Sequence, residues 1–170
     1  MNLKEKLREV PDFPEKGILF KDITPLLQDI EAFDEVIDIF IEEYSDKEFD
    51  YIAAIEARGF LLGPVLSREL KKGFIPIRKP GKLPCDKITA TYELEYGQNT
   101  LEIHTDAINP GDKVLLIDDL LATGGTSKAA IELIERLEGD VVSAGYLIEL
   151  VDLAGRDNLQ EYEIFSIMKE

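Results

Sequence analysis

An α/β fold with a mostly parallel sheet flanked by helices, preceded by a small N-terminal hood, is the architecture this sequence predicts. Three observations carry it. Val114-Leu115-Leu116-Ile117 is an apolar run without polar alternation, as in a parallel strand buried on both faces. Strand patterns then alternate with helical ones from residue 31 onward, the signature of parallel strands joined by crossovers. Residues 1–28 do not alternate in this way and read as an appended hood.

The elements follow in order. Phe33, Val36, Ile37, Phe40, Ile41 and Tyr44 recur at helical spacing and predict a core-facing helix over 31–45. A strand at 51–56, a helix at 59–70 and a strand at 74–77 come next. Residues 78–90 form a loop rich in Pro, Gly and Lys, and strands follow near 91–95 and 100–104. Asn109-Pro110-Gly111-Asp112 marks a turn. After it come a strand at 113–118, a helix at 124–138 with Ala129, Ala130, Leu133, Ile134 and Leu137 on one face, and strands at 141–150 and 163–168. The 170 residues suffice for one domain with its own core, and no linker, repeat or low-complexity tract divides them.

Composition excludes several classes. No apolar run approaches the roughly 18 residues of a membrane span. The start, Met1 to Glu9, is charged and amphipathic and lacks the apolar stretch of a secretory signal. A single cysteine forms no internal disulfide, so a cytoplasmic location is expected. The net charge of −16 argues against nucleic acid as a partner. One segment opposes that charge: residues 78–87 hold Arg78, Lys79, Lys82 and Lys87 against Asp86 alone. Screening over about 8 Å makes such local charge matter more than the total, so this basic island suits an anion.

The chemistry concentrates in residues 114–126. Asp118 and Asp119 fall where the strand is expected to end, and Ala122-Thr123-Gly124-Gly125-Thr126 leads into the helix. Backbone N–H groups of such a turn, with the positive end of a helix dipole, hold a phosphate. The Gly-Lys-Ser/Thr ending of a Walker loop and the Gly-x-Gly-x-x-Gly of a dinucleotide site are both missing. Carboxylates beside a phosphate repel it unless they bind something else. A sugar phosphate satisfies both halves, with its diol on the aspartates and its phosphate on the turn. A bulky side chain at Gly124 is expected to abolish that binding with little effect on stability.

Residues 114–126 resemble the phosphoribosyl-diphosphate signature of type I phosphoribosyltransferases. Residues 17–27, 55–60, 78–84 and 94–97 are similar, in order and spacing, to the adenine phosphoribosyltransferase pattern, so nearly the whole chain takes part in the likeness. The resemblance implies a single 1–170 domain with a hood at 1–28 and a flexible catalytic loop at 78–97. It implies transfer of the phosphoribosyl group to adenine, giving AMP and diphosphate, in purine salvage. Mg²⁺ would be carried by the substrate with no direct protein ligand, and the enzyme would be a homodimer. Phosphoribosyl transfer to another purine, xanthine or hypoxanthine, is the alternative enzyme. A purine-responsive regulator is a third reading, disfavoured by the charge and by the short segment before the core.

The resemblance also distributes roles. Asp118 and Asp119 hold the ribose hydroxyls and favour a cation-like sugar; Ala122, Thr123, Gly124, Gly125 and Thr126 hold the 5-phosphate. Ala57, Arg58, Gly59, Arg78, Lys79 and Lys82 serve the diphosphate, Arg78 by reaching into a neighbouring subunit. Main-chain groups of Leu19 and Lys21 read the adenine edge, the Phe20 ring covers the base, and Arg58 lies near it. Glu95 bonds a purine ring nitrogen and Tyr96 takes part in loop closure. A strained non-proline cis peptide is expected between Glu56 and Arg58. His104, the only histidine, reads as structural, and nothing around Cys85 marks it as a nucleophile.

Overall fold

The computed structural model describes residues 2–93 and 97–170. Its centre is a five-stranded parallel sheet made of β3 (Tyr51–Ile55), β4 (Gly73–Ile77), β7 (Lys113–Leu121), β8 (Asp140–Glu149) and β9 (Ile164–Lys169), in the order β4-β3-β7-β8-β9. Two antiparallel hairpins flank it. β1 (Arg8–Pro11) pairs with β2 (Leu19–Asp22) in the hood, and β5 (Lys87–Glu93) pairs with β6 (Gln98–His104).

Strand β7 shows why its sequence lacks alternation. Val114 and Leu116 pack on one side of the sheet with α4 (Gly125–Arg136) and the β5–β6 hairpin. Leu115 and Ile117 pack on the other with α1 (Thr24–Gln28), α2 (Ile30–Tyr44) and α3 (Gly63–Leu70). Both faces are buried, so both parities are apolar. Helix α2 starts at Asp29, whose carboxylate accepts from the N–H groups of Glu31 and Ala32 at 3.2 and 3.3 Å. It satisfies donors that the first turn leaves open.

Several boundaries differ from the sequence reading, each for a local reason. The helix expected from residue 59 begins at Gly63, after a 3₁₀ turn over Arg58–Leu61. Pro64 lies at its start, where a missing N–H is harmless and the fixed φ suits a helix. The hairpin begins at Lys87, shortening the expected loop. Strand β7 runs on to Leu121 because its pairing with β8 continues to Leu121 opposite Glu149. Asp118 and Asp119 therefore sit within a paired strand.

The sheet is close-packed at Gly145, opposite Ile117. A Cβ there would lie 2.7 Å from Tyr44 Oη, 3.0 Å from Ile117 Cδ1 and 3.1 Å from Phe40 Cε1. The Tyr44 hydroxyl is held at 3.3 Å from Ser143 Oγ, so it is not free to retreat. Gly145→Ala is expected to destabilise the protein by about 1–3 kcal/mol through overpacking. Thermal unfolding of the purified variant checks this.

Candidate functional site

Asp118 and Asp119 are 9% and 5% exposed, and Asp118 Oδ1 accepts from the Asp119 N–H at 2.9 Å. Burial pushes the Asp118 carboxyl well above the ordinary range, and the neighbouring Asp119 charge pushes the same way. Burial also raises Asp119, but Arg58 opposes it. The Arg58 Nε lies 2.6 Å from Asp119 Oδ2, yet off hydrogen-bond geometry, so that buried oxygen keeps an unused lone pair. Gly59 clears the space beside this pair: a Cβ there would meet Asp118 Oδ1 at 3.0 Å and the Ile117 carbonyl at 3.1 Å.

The turn after β7 closes the other side. A cavity of about 190 Å³ is lined by Arg58, Asp118, Asp119 and residues 122–127. Gly124 caps α4 with φ +86°, the left-handed region that glycine enters freely. Ala122, Thr123, Gly124, Gly125 and Thr126 are thus brought together with both aspartates around one small polar space. A phosphate seated there faces the N-terminus of a twelve-residue helix.

Residues that the sequence reading passed over support this turn. Asn158 Nδ2 donates to the Thr123 carbonyl at 2.6 Å. Thr126 Oγ1 donates to Tyr92 Oη at 3.1 Å, tying the β5–β6 hairpin to the turn. Arg156 donates from Nε and Nη2 to the two Glu149 oxygens at 2.7 and 2.8 Å, fixing the segment that carries Asn158 to the end of β8. Glu149 is held below the usual carboxylate range by Arg156. No local motif marks these residues; only the fold brings 92, 149 and 156–158 to residues 118–126.

Arg58 also reaches the hood. Its guanidinium carbon lies 4.8 Å from the Phe20 ring centre, and Nη1 donates to the Lys21 carbonyl at 3.2 Å. Phe20, Arg58 and the Lys21 main chain therefore converge at the rim of the aspartate site, beside a cavity of about 480 Å³ also lined by Phe13 and Leu27. The Lys21 ammonium points elsewhere, to Glu9 at 2.5 Å and Glu170 at 2.9 Å. Leu19 is half-exposed on the same strand.

The basic group gathers around Glu56, whose peptide bond to Ala57 is cis, where the resemblance placed it. Arg78 Nε lies 2.7 Å from Glu56 Oε2 and Lys82 Nζ 4.0 Å from Oε1, whereas Lys79 is exposed. Arg78 is thus paired within its own chain. His104 Nε2 accepts from the Cys85 N–H at 3.4 Å, in keeping with a structural role. Glu95 and Tyr96 lie outside the described residues.

A phosphoribosyl transferase domain model matches residues 24–169. The adenine phosphoribosyltransferase of Halothermothrix orenii is 62% identical over the full length of both chains. The chain belongs to the adenine phosphoribosyltransferase family. That of Thermosipho africanus is 54% identical over 99% of each chain. Among solved structures, the adenine phosphoribosyltransferase of Thermoanaerobacter pseudethanolicus superposes with a TM-score of 0.97 at 51% identity, covering 99% of this chain and 98% of its own. The Saccharomyces cerevisiae adenine phosphoribosyltransferase, complexed with an imino-altritol bisphosphate and adenine, has a TM-score of 0.91 at 42% identity, covering 96% and 95%. The chain shares the α/β fold of these structures, and in it the Thr-Gly-Gly-Thr turn follows the paired aspartates. Among the described residues no helix is long and apolar enough to cross a membrane.

Two predictions follow from the packing here. The expectation that Gly124→Val spares stability is corrected: a Cβ there would lie 2.6 Å from the Gly155 carbonyl, and φ is unfavourable for a branched residue. Gly124→Val is expected to lose AMP binding by calorimetry and also about 2–4 kcal/mol of stability. The second concerns Asp118. A carboxyl raised by folding binds its proton more tightly in the folded chain, so stability falls as pH rises from the ordinary carboxylate range through the raised value. Asp118→Asn removes that penalty. It is expected to unfold harder than wild type at pH 8, with the advantage shrinking towards pH 4, while turnover falls at least about a hundredfold. Melting curves across pH check the first part and steady-state rates the second.

Proposed function

We propose that the chain transfers the phosphoribosyl group of 5-phosphoribosyl 1-diphosphate to adenine, giving AMP and diphosphate. The observation that carries this reading is the single arginine, Arg58, which touches the buried Asp119 carboxylate and the Phe20–Lys21 strand together. A sugar site and a planar-base site are then adjacent. The family membership and full-length likeness to adenine phosphoribosyltransferases support the same activity.

In the proposed mechanism the anomeric carbon is displaced through a loose, cation-like state. Asp118 and Asp119 accept from the ribose hydroxyls, and their charge favours the cationic sugar. Both carboxylates lie in a low-polarity setting, where fixed charges act strongly without reorganising. The 122–126 turn fixes the 5-phosphate and thereby the sugar. Arg58, Arg78, Lys79 and Lys82 offset charge on the departing diphosphate, with Ala57 and Gly59 at the same loop. Main-chain groups of Leu19 and Lys21 meet the base edge, and Phe20 covers its face. Glu95 and Tyr96 are assigned to base positioning and loop closure by the family pattern. Catalysis is by positioning and electrostatics, with no covalent enzyme intermediate.

Mg²⁺ belongs to this reading. Hard cations prefer oxygen donors and keep several waters beside phosphates. The spare lone pair of Asp119 and the ribose hydroxyls it would bind fit a substrate-borne ion. Mg²⁺ would neutralise charge on the diphosphate, and the protein would hold it through the sugar. A homodimer in the cytoplasm completes the proposal, with Arg78 leaving Glu56 to act in the neighbouring site.

A panel of adenine, hypoxanthine, guanine and xanthine with radiolabelled sugar diphosphate tests the base assignment. Adenine is expected to be preferred by on the order of 10³ in kcat/KM, since a site that bonds an exocyclic amine leaves its acceptors unpaired against an oxo group. Equal use of a 6-oxopurine would move the assignment to the other purine enzyme. Mixing Arg78→Ala protein with an Asp118→Asn/Asp119→Asn variant tests the dimer. With both parents inactive and subunits fully exchanged, one whole site per mixed dimer returns about a quarter of wild-type activity. No recovery would mean that Arg78 serves its own chain.

A further inference from the structure

The hood strand that carries the base-reading main chain belongs to a sheet of only two strands, β1 and β2, with four residue pairs. An isolated two-stranded hairpin is at best marginally stable, so something outside it must set its position. The polar ties available are few. On one side Arg58 Nη1 donates to the Lys21 carbonyl at 3.2 Å. On the other, the Lys21 ammonium reaches across the fold to Glu170 Oε2 at 2.9 Å.

Glu170 is suited to be an anchor. Its N–H donates to the Glu149 carbonyl and its carbonyl accepts from the Val151 N–H, both at 2.9 Å, so its backbone is fixed to the end of the central sheet. Its second oxygen is buried and lies 2.9 Å from Lys4 Nζ. The Lys21 and Glu170 side chains are 9% and 19% exposed, which shields the pair from screening. Lys21 is raised from its ordinary value by Glu9 first and then by Glu170, and Glu170 is lowered by Lys4 first and then by Lys21, so both stay charged at neutral pH. Glu9 also meets Lys21, at 2.5 Å, but it is 58% exposed and sits on β1 of the same hairpin. It cannot fix the hairpin to the core.

We propose that Glu170 is a positioning residue for base recognition: through its ion pair with Lys21 it holds the Leu19–Lys21 main chain at the rim of the aspartate site. This rests on the base assignment made above. Glu170 touches neither substrate, and its effect passes through Lys21. Loss of the pair loosens the strand that reads the base and leaves the sugar-phosphate turn, built on β7 and α4, in place.

The test is steady-state kinetics of Glu170→Gln, Lys21→Met, their combination, and Glu9→Gln, with each protein's melting temperature recorded. Glu170→Gln is expected to raise KM for adenine about fivefold to tenfold, the size of one charge-assisted contact, with kcat and the KM for sugar diphosphate within about twofold. Lys21→Met should match it, the double variant should be no worse than either, and Glu9→Gln should stay near wild type. Should Glu170→Gln fold poorly, Lys21→Met reads the same pair from the other side. An unchanged adenine KM, a parallel rise in both KM values, additive effects, or a Glu9→Gln defect as large as that of Glu170→Gln would overturn the proposal. Failure of the wild-type enzyme to use adenine would instead overturn the base assignment, which separates the two.

Discussion

Two carboxylates side by side within a buried strand are unfavourable, and much of the surrounding architecture answers to them. Burial and the neighbouring Asp119 charge raise Asp118, and burial raises Asp119 against the pull of Arg58 and nearby backbone N–H groups. A chain selected for stability alone would place apolar residues there, since a partly compensated buried charge is costly. The cost falls within β7, whose apolar residues are held between two cores that fix its position. A ligand that donates from hydroxyls and carries developing positive charge relieves what the protein itself leaves unpaired. The proposed complementarity to a cationic sugar rests on this arrangement.

The turn next to these residues depends on distant parts of the chain. Gly124 lies under the Gly155 carbonyl, Asn158 holds Thr123, and Glu149 with Arg156 ties that segment to the sheet. The turn is therefore a cradle between β7 and α4 whose shape is held by the 155–158 segment packed against it. Tyr92 adds a contact from the β5–β6 hairpin through Thr126, so the hairpin touches this turn directly. Rigidity of this kind matters because positioning supplies most of the rate in a displacement with no covalent step.

The hood obeys a different constraint. In the proposed function it presents main chain to the base, and main chain carries no side-chain signature. Where the N–H and C=O groups of residues 19–21 stand relative to β7 is tied to Arg58 and to Glu170, just past the end of β9. The basic residues near Glu56 show the same dependence: their charge is visible in the sequence, their present partner is not.

The sequence by itself determined the class of fold and the location of the chemistry. Apolar runs of the right length, helical periodicity at 31–45 and 124–138, and the Asp-Asp then Thr-Gly-Gly-Thr string are local patterns, and local patterns need no tertiary information. It misjudged where elements stop. The strand through Asp118 continues because β8 pairs with it, and the helix after Arg58 waits for Pro64. Only folding decides which residues support the site: Asn158 under the turn, Tyr92 on Thr126, Arg58 joining the hood to Asp119, and Glu170 against Lys21. Each is a contact between segments 30 to 150 residues apart. The physical reason is that such contacts arise from sheet order and register, and one chain's periodicity records which face is buried but not what it is buried against.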